Sequence, residues 1–332
     1  MSASRTVILQ GVGFAVLATM SWACNFIAPY VLQGYSIADF MLVRFVMAGV
    51  LGALLLARYR AQLRGLPARQ WLTAMGLGVL GYLGYSSCIA GGVIYGGPLM
   101  IAAFIAAVPM LQALLGNARH RSLRWGQLAM PIALLCLGLV LINRQAIGDP
   151  PGPAAELWLG LACSVGAVSL WLSFSAVNQA ALERLHGEAT SAWTCLMMIG
   201  AGLAALLLTP LALAADLLRL PVLGVATPAA IELYGWALSI ALLSSVIGAW
   251  AWNMASRRLP MVLSGQLIAL ESFFATVLGL AFNHRLPTLA EAVGLGLILF
   301  GTACAVRMIL APATRAGQRC PPTSDPAQTP HP

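Results

Sequence analysis

The chain resolves into ten long apolar runs separated by short polar breaks, near residues 9–32, 37–57, 71–92, 98–116, 125–142, 157–178, 192–214, 231–254, 260–282 and 290–310. Most are about as long as the roughly twenty residues a helix needs to cross a hydrocarbon core of about 30 Å. Strands of a membrane barrel would alternate apolar and polar positions over about ten residues. These runs are continuous, so the pattern predicts helices, which satisfy their own backbone hydrogen bonds in lipid. The expected fold class is an all-α integral membrane protein with ten transmembrane helices. The first, third and seventh runs are long enough to tilt or kink.

The breaks are asymmetric in charge. With the N-terminus placed in the cytoplasm, fourteen of the eighteen arginines fall in inner segments, three in outer ones, and Arg44 lies inside the second helix. That bias predicts a multi-pass protein of the inner (plasma) membrane with both termini cytoplasmic. The run beginning at Val7 exceeds a signal-peptide core and has no convincing cleavage site, so it is expected to stay as the first helix.

The stretch INRQAIGDPPGPAAE cannot continue a helix, because Pro150, Pro151 and Pro153 interrupt it together with Gly148 and Gly152. It divides the chain into a first five-helix unit (residues 1–144), an outer linker (145–156), a second five-helix unit (157–311) and a Pro-rich tail (312–332) expected to be disordered in the cytoplasm. Shifting the second unit onto the first by 163 residues lays SFFATVLG (Ser272 to Gly279) over PMLQALLG (Pro109 to Gly116). Five is odd, so a second copy enters from the opposite side. The expected plan is two inverted repeats, which in secondary transporters enclose a site near the bilayer midplane.

Composition agrees with lipid as the main solvent. The chain is 60% hydrophobic and 8% charged, against about 25% charged in soluble domains. The net charge of +8 comes from arginines that flank the runs, so no nucleic-acid partner is expected. The seven cysteines show no CxxC or CxxH spacing, which predicts neither a disulfide nor a metal site. No lysine is present to complete a phosphate-binding GxxxxGK[ST] loop, and no cofactor is expected. GxSxG, HExxH and paired-carboxylate motifs are absent too, so an enzyme is not expected; an intramembrane enzyme and a non-transporting scaffold or sensor are the alternatives.

Two charges lie deep in the runs. Glu271 is eleven residues into the ninth, roughly 16 Å, and Arg44 seven residues into the second from the other side, roughly 10 Å. A charge at mid-bilayer costs about 2.5–3.5 kcal/mol on insertion scales, so such groups normally face a partner or a wet cavity. Glu271 can exchange a proton, meet a cationic substrate group, or tie its helix to Arg44 or backbone donors. Arg44 can bind a substrate carboxylate or serve as a structural partner.

Four motifs carry a family resemblance. SWACNF (Ser21 to Phe26) is similar to W-G-x-N-F in the first helix, and LVRFVMAG in the second carries an R-F pair. ALESFFATVLGLAF in the ninth is similar to L-E-P-x-x-A-x-x-x-G, and AWAWN (Ala249 to Asn253) in the eighth resembles amino-acid exporters. Over about residues 8–310 the chain resembles the EamA-type branch of the drug/metabolite transporter superfamily. It departs at Ser272, where the family has Pro, and at about Arg121 and His284, where the family usually has a carboxylate. The resemblance implies metabolite export or exchange through a cavity lined by helices 1, 3, 4, 6, 8 and 9; the expected function is a secondary transporter working by alternating access, coupled to protons or to exchange.

On those helices the candidate substrate-binding residues are Trp22, Asn25, Tyr82, Tyr85, Trp171, Trp252, Asn253, Gln266 and Glu271, with Glu271 and Arg44 the candidate proton-coupling group or ion pair. Ser86 shares a face with Tyr82 and Tyr85, as Phe174, Ser175 and Asn178 do with Trp171. Aromatics with a few polar groups suit a pocket for a small amphipathic ligand. The same residue types also serve as interface anchors and interhelical hydrogen-bonding groups. The glycines of the third helix, Gly76, Gly78, Gly81 and Gly84, are expected to allow close packing. The expected partners are a small-molecule substrate and the lipid bilayer, with room for a homodimer.

Overall fold

A computed structural model describes residues 5–63, 66–120, 125–142 and 154–310. Ten helices among them are long and apolar enough to cross a membrane: α1 Arg5–Phe26, α2 Ile37–Gln62, α3 Ala68–Gly97, α4 Met100–Arg119, α5 Trp125–Ile142, α6 Glu156–Arg184, α7 Gly187–Ala214, α8 Pro228–Ser256, α9 Met261–Phe282 and α10 Leu289–Leu310. No strand occurs among the described residues. Most of the expected linker, the expected tail, and Arg64, Arg121, Arg124, Arg144, Arg315 and Arg319 lie outside them.

Helix boundaries follow local chemistry. Regular α-structure in α1 stops at Ala23 and gives way to a 3-10 stretch over Cys24–Tyr30. Pro29 has no N–H to return to the Asn25 carbonyl, so the apolar run to residue 32 outlasts the α-helix. At the start of α2, Ser36 accepts from the Asp39 N–H while the Asp39 carboxylate accepts from the Ser36 N–H, a reciprocal cap. Asp39 is fully buried and also accepts the backbone N–H groups of Arg219 and Leu220, so one carboxylate ties α2 to the segment joining α7 and α8. Thr227 caps α8, with Pro228 in its first turn. Between α3 and α4 the chain turns at Gly97, whose φ of 78° and ψ of 160° suit glycine alone.

Helices approach closely where glycine removes the side chain. In the pair α2–α7, Gly49 meets Gly202; in α4–α9, Gly116 meets Met261 and Val262; in α5–α10, Gly138 meets Gly294. Helix α6 packs on α3, where Gly96 meets Gly160 and Gly81 the Phe174 ring, and α1 packs on α8, where Trp22 covers Gly248. Exchanging each helix for the one five places along carries this set of pairs onto itself. Among the third-helix glycines, Gly78 and Gly81 sit in such contacts, whereas Gly76 faces open space.

Packing is uneven along the membrane normal. Met261 to Leu270 are all buried, while Glu271 to Thr276 are only half-buried. Arg257, at the foot of α8, donates to the carbonyls of Leu182 and Leu185 at the foot of α6. Helix α9 is therefore packed tightly before Glu271 and more loosely beyond it, and α8 is tied to α6 on the tighter side.

Candidate functional site

A cavity lies where α1, α2, α3, α6, α8 and α9 converge. Its aromatic walls are Trp22, Tyr82, Tyr85 and Trp171, and its polar groups come from Asn25, Arg44, Ser86, Ser244, Ser245 and Glu271. Seven of the sequence candidates thus meet around one space: Trp22, Asn25, Arg44, Tyr82, Tyr85, Trp171 and Glu271.

The helices that build it are irregular at the cavity wall. Asn25 lies in the 3-10 stretch of α1. Gly81 and Tyr82 lie in a π-helical segment of α3, Val79–Gly84, and Ser244 and Ser245 in one of α8, Ala241–Gly248. Helix α9 is interrupted at Ile268, three residues before Glu271. Such interruptions loosen backbone groups from the regular ladder and re-aim side chains, and they recur at functional sites and in the discontinuous helices of transporters. The Ser244 carbonyl accepts the Ala249 N–H in the π register and also the Trp22 indole N–H at 3.1 Å.

The aromatic wall is mutually braced. Trp171 stands between Trp22 and Tyr85, with ring centroids 5.5 and 5.1 Å away. Its indole N–H donates to Gln112 Oε1 of α4 at 2.8 Å, and the Gln112 amide donates in turn to Ser264 of α9. Helix α4 therefore contributes no side chain to the lining among the described residues, but holds one in place from behind. Arg44 brings α2 into the lining: its Nη2 donates to Ser244 Oγ at 3.2 Å and its guanidinium lies 4.7 Å from the Phe45 ring centroid.

Several polar groups here have nothing to bind within the protein. Asn25 Oδ1, Arg44 Nε and Ser245 Oγ are shut from solvent with no hydrogen-bond partner among the described residues. The Glu271 carboxylate accepts no hydrogen bond from them either, and it forms no ion pair with Arg44 within 4 Å, although each feels the other's charge. Buried polar atoms are normally paired, and an orphan costs about 1–3 kcal/mol. Three such atoms, on Asn25, Arg44 and Ser245, meet around one cavity beside the Glu271 carboxylate.

The remaining candidates lie outside this lining. Trp252 is buried one layer behind, its ring 5.2 Å from Trp22 and 5.9 Å from Trp171. Asn253 is fully buried in a network with Asn178 and Thr194, where its amide donates to Thr194 and its oxygen accepts from Asn178. Ser175 bonds Gln112. Gln266, also buried, precedes the break in α9, and its Oε1 has no partner among the described residues. Ser244 and Ser245 escaped the sequence reading because a serine pair in an apolar run looks like any small packing pair. The signal available was their place, 163 residues after Gly81 and Tyr82.

Residues 9–144 match the EamA-like transporter family. Inner membrane protein YtfF of Escherichia coli (strain K12) is 27% identical over 314 residues, covering 90% of this chain and 96% of that protein. A solved crystal structure with 19% identity covers 90% of this chain and 97% of its own, with a TM-score of 0.67, and shares the fold.

Proposed function

The resemblance to EamA-type membrane transporters stands on the family match and the YtfF relative, and from that premise we propose that the chain is a secondary transporter of a small amphipathic metabolite. An amino acid or related solute fits the combination of an aromatic wall with one acid and one guanidinium. The protein works by alternating access, in the direction of export, with coupling to protons or to a counter-solute. Both termini face the cytoplasm, a reading the arginine bias supports.

The observation that carries this reading is the meeting of three buried, unpartnered polar atoms, on Asn25, Arg44 and Ser245, with the Glu271 carboxylate around one cavity. The helix pairing supports two inverted repeats, since it is unchanged when the two halves are exchanged. The uneven packing supports a conformer closed on the terminal face, which alternating access would open by loosening α6, α8 and α9 there. Glu271 has the position to carry the coupled proton or to meet a cationic group, because its carboxylate is committed to neither a hydrogen bond nor an ion pair among the described residues.

The family match points to a transporter rather than an enzyme. Purified protein in proteoliposomes distinguishes the readings: a transporter moves labelled solute unchanged across the bilayer, an enzyme yields product, and a scaffold does neither. Counterflow of at least one amino acid or related solute is the expected result. No flux across a broad solute panel, by protein that remains folded, would count against the proposal.

A further inference from the structure

A second concave site opens where α3 begins, α6 ends and α7 begins. Arg69 of α3 and Arg184 of α6 both line it, and both are exposed. No acidic side chain shares the lining among the described residues, and neither guanidinium has a hydrogen-bond or ion-pair partner there. Two cations without a partner among the described residues therefore line one hollow at the ends of two helices able to span a membrane.

The rest of the site is amphipathic. Val177, Ala180 and Ala181 of α6 give it an apolar wall below the arginines. Its floor is Trp193, buried to 1% exposure, whose indole N–H is already taken by Asn178 at 3.0 Å, so the ring offers the site only apolar surface. Gln70 also lines it, with a carboxamide oxygen shut from solvent and no partner among the described residues. An anion bound at this level meets fixed charge above and hydrocarbon below, whereas a freely soluble anion has no use for the apolar wall.

We propose that this hollow binds one anionic phospholipid of the leaflet on the terminal face. Its phosphate sits between Arg69 and Arg184, a headgroup donor meets Gln70, and the start of its acyl chain runs along Val177 and Ala181. Basic hollows between helix ends are suited to such headgroups, because guanidinium–phosphate hydrogen bonds add to the attraction of the charged surface. The site is separate from the central cavity, and its occupancy does not depend on what the protein carries.

The test is native mass spectrometry of the full-length purified protein titrated with phosphatidylglycerol or with phosphatidylcholine of the same chains. The wild type should bind the first phosphatidylglycerol about tenfold more tightly than phosphatidylcholine. Arg69→Gln/Arg184→Gln should lose that preference, while Arg58→Gln/Arg60→Gln, two exposed arginines outside the hollow, should keep it. Equal binding of the two lipids by the wild type overturns the proposal whether or not the variants fold. So does a loss of preference in the Arg58/Arg60 control as large as in the site variant. Displacement of phosphatidylglycerol by millimolar glycerol phosphate would assign the site to a soluble anion instead and also overturn it.

Discussion

Glu271 sits where an isolated carboxylate would cost several kcal/mol in lipid, and the cavity is what makes its position tenable. It lines that space with Arg44 yet forms no ion pair with it within 4 Å. If Glu271 carries the coupled proton, an imposed pH gradient drives solute accumulation in wild-type proteoliposomes and fails to do so in Glu271→Gln, which keeps the shape without the charge. Wild-type accumulation and unchanged pH dependence in that variant would remove the proton role. Gln112 acts through Trp171, whose indole it fixes from α4. Gln112→Leu should raise the solute concentration needed for half-maximal flux several-fold, and Gln112→Glu, which keeps the acceptor, should restore part of the loss. Glu271 and Arg44 were legible in the sequence because a charge in an apolar run has few bland explanations. Asn253 was not separable from Asn25 at that level: each is an asparagine near aromatics on a membrane helix, and only the fold shows that one is spent on Asn178 and Thr194 while the other is free.

At the scale of elements, the departures from regular helix carry the site. Adding 163 to residues 79–84 gives 242–247, inside the second π segment at 241–248. The same offset aligns α4 with α9, but the break of α9 at Ile268 has no counterpart in α4, so the matched irregularity is confined to α3 and α8. Neither segment could be read from hydropathy, because a π turn changes the backbone register without changing which residues are apolar. The close approaches were more legible, since glycine in an apolar helix predicts packing. Gly78 meets the Met197 backbone, so Gly78→Ala should force α3 away from α7 and destabilise the protein by about 1–3 kcal/mol. Gly76→Ala, facing open space, should be neutral, and the two can be compared by thermal unfolding in detergent. Asp39 was not singled out in the sequence, because its tertiary partners are backbone N–H groups some 180 residues away. Asp39→Ala leaves the buried N–H of Leu220 and the N–H of Arg219 without their acceptor as well as removing the cap, so it should lower stability by about 2 kcal/mol or more.

For the whole molecule, hydropathy alone gave ten crossings, and the described residues contain ten helices able to span. The reason is that lipid removes every alternative for an apolar run of this length. The pairing of helices is a different matter: which faces meet depends on side-chain shape, and the weak repeat in the sequence gained meaning only when the packing of α2 on α7, α4 on α9 and α5 on α10 was seen. On the proposed function, the unpartnered groups of the central cavity are kept for a ligand. An orphaned polar atom lowers stability when nothing binds it, so its removal should relieve the empty protein and impair the loaded one.

Asn25→Ala/Ser245→Ala tests that directly, by measuring thermal stability without solute and the affinity for the solute that flux assays identify. The double variant should be as stable as the wild type or more so when empty, and should bind the solute at least about fivefold more weakly, since each ligand hydrogen bond lost is worth about 0.5–1.5 kcal/mol. A variant that binds the solute as tightly as the wild type, or that loses stability when empty, would contradict the account.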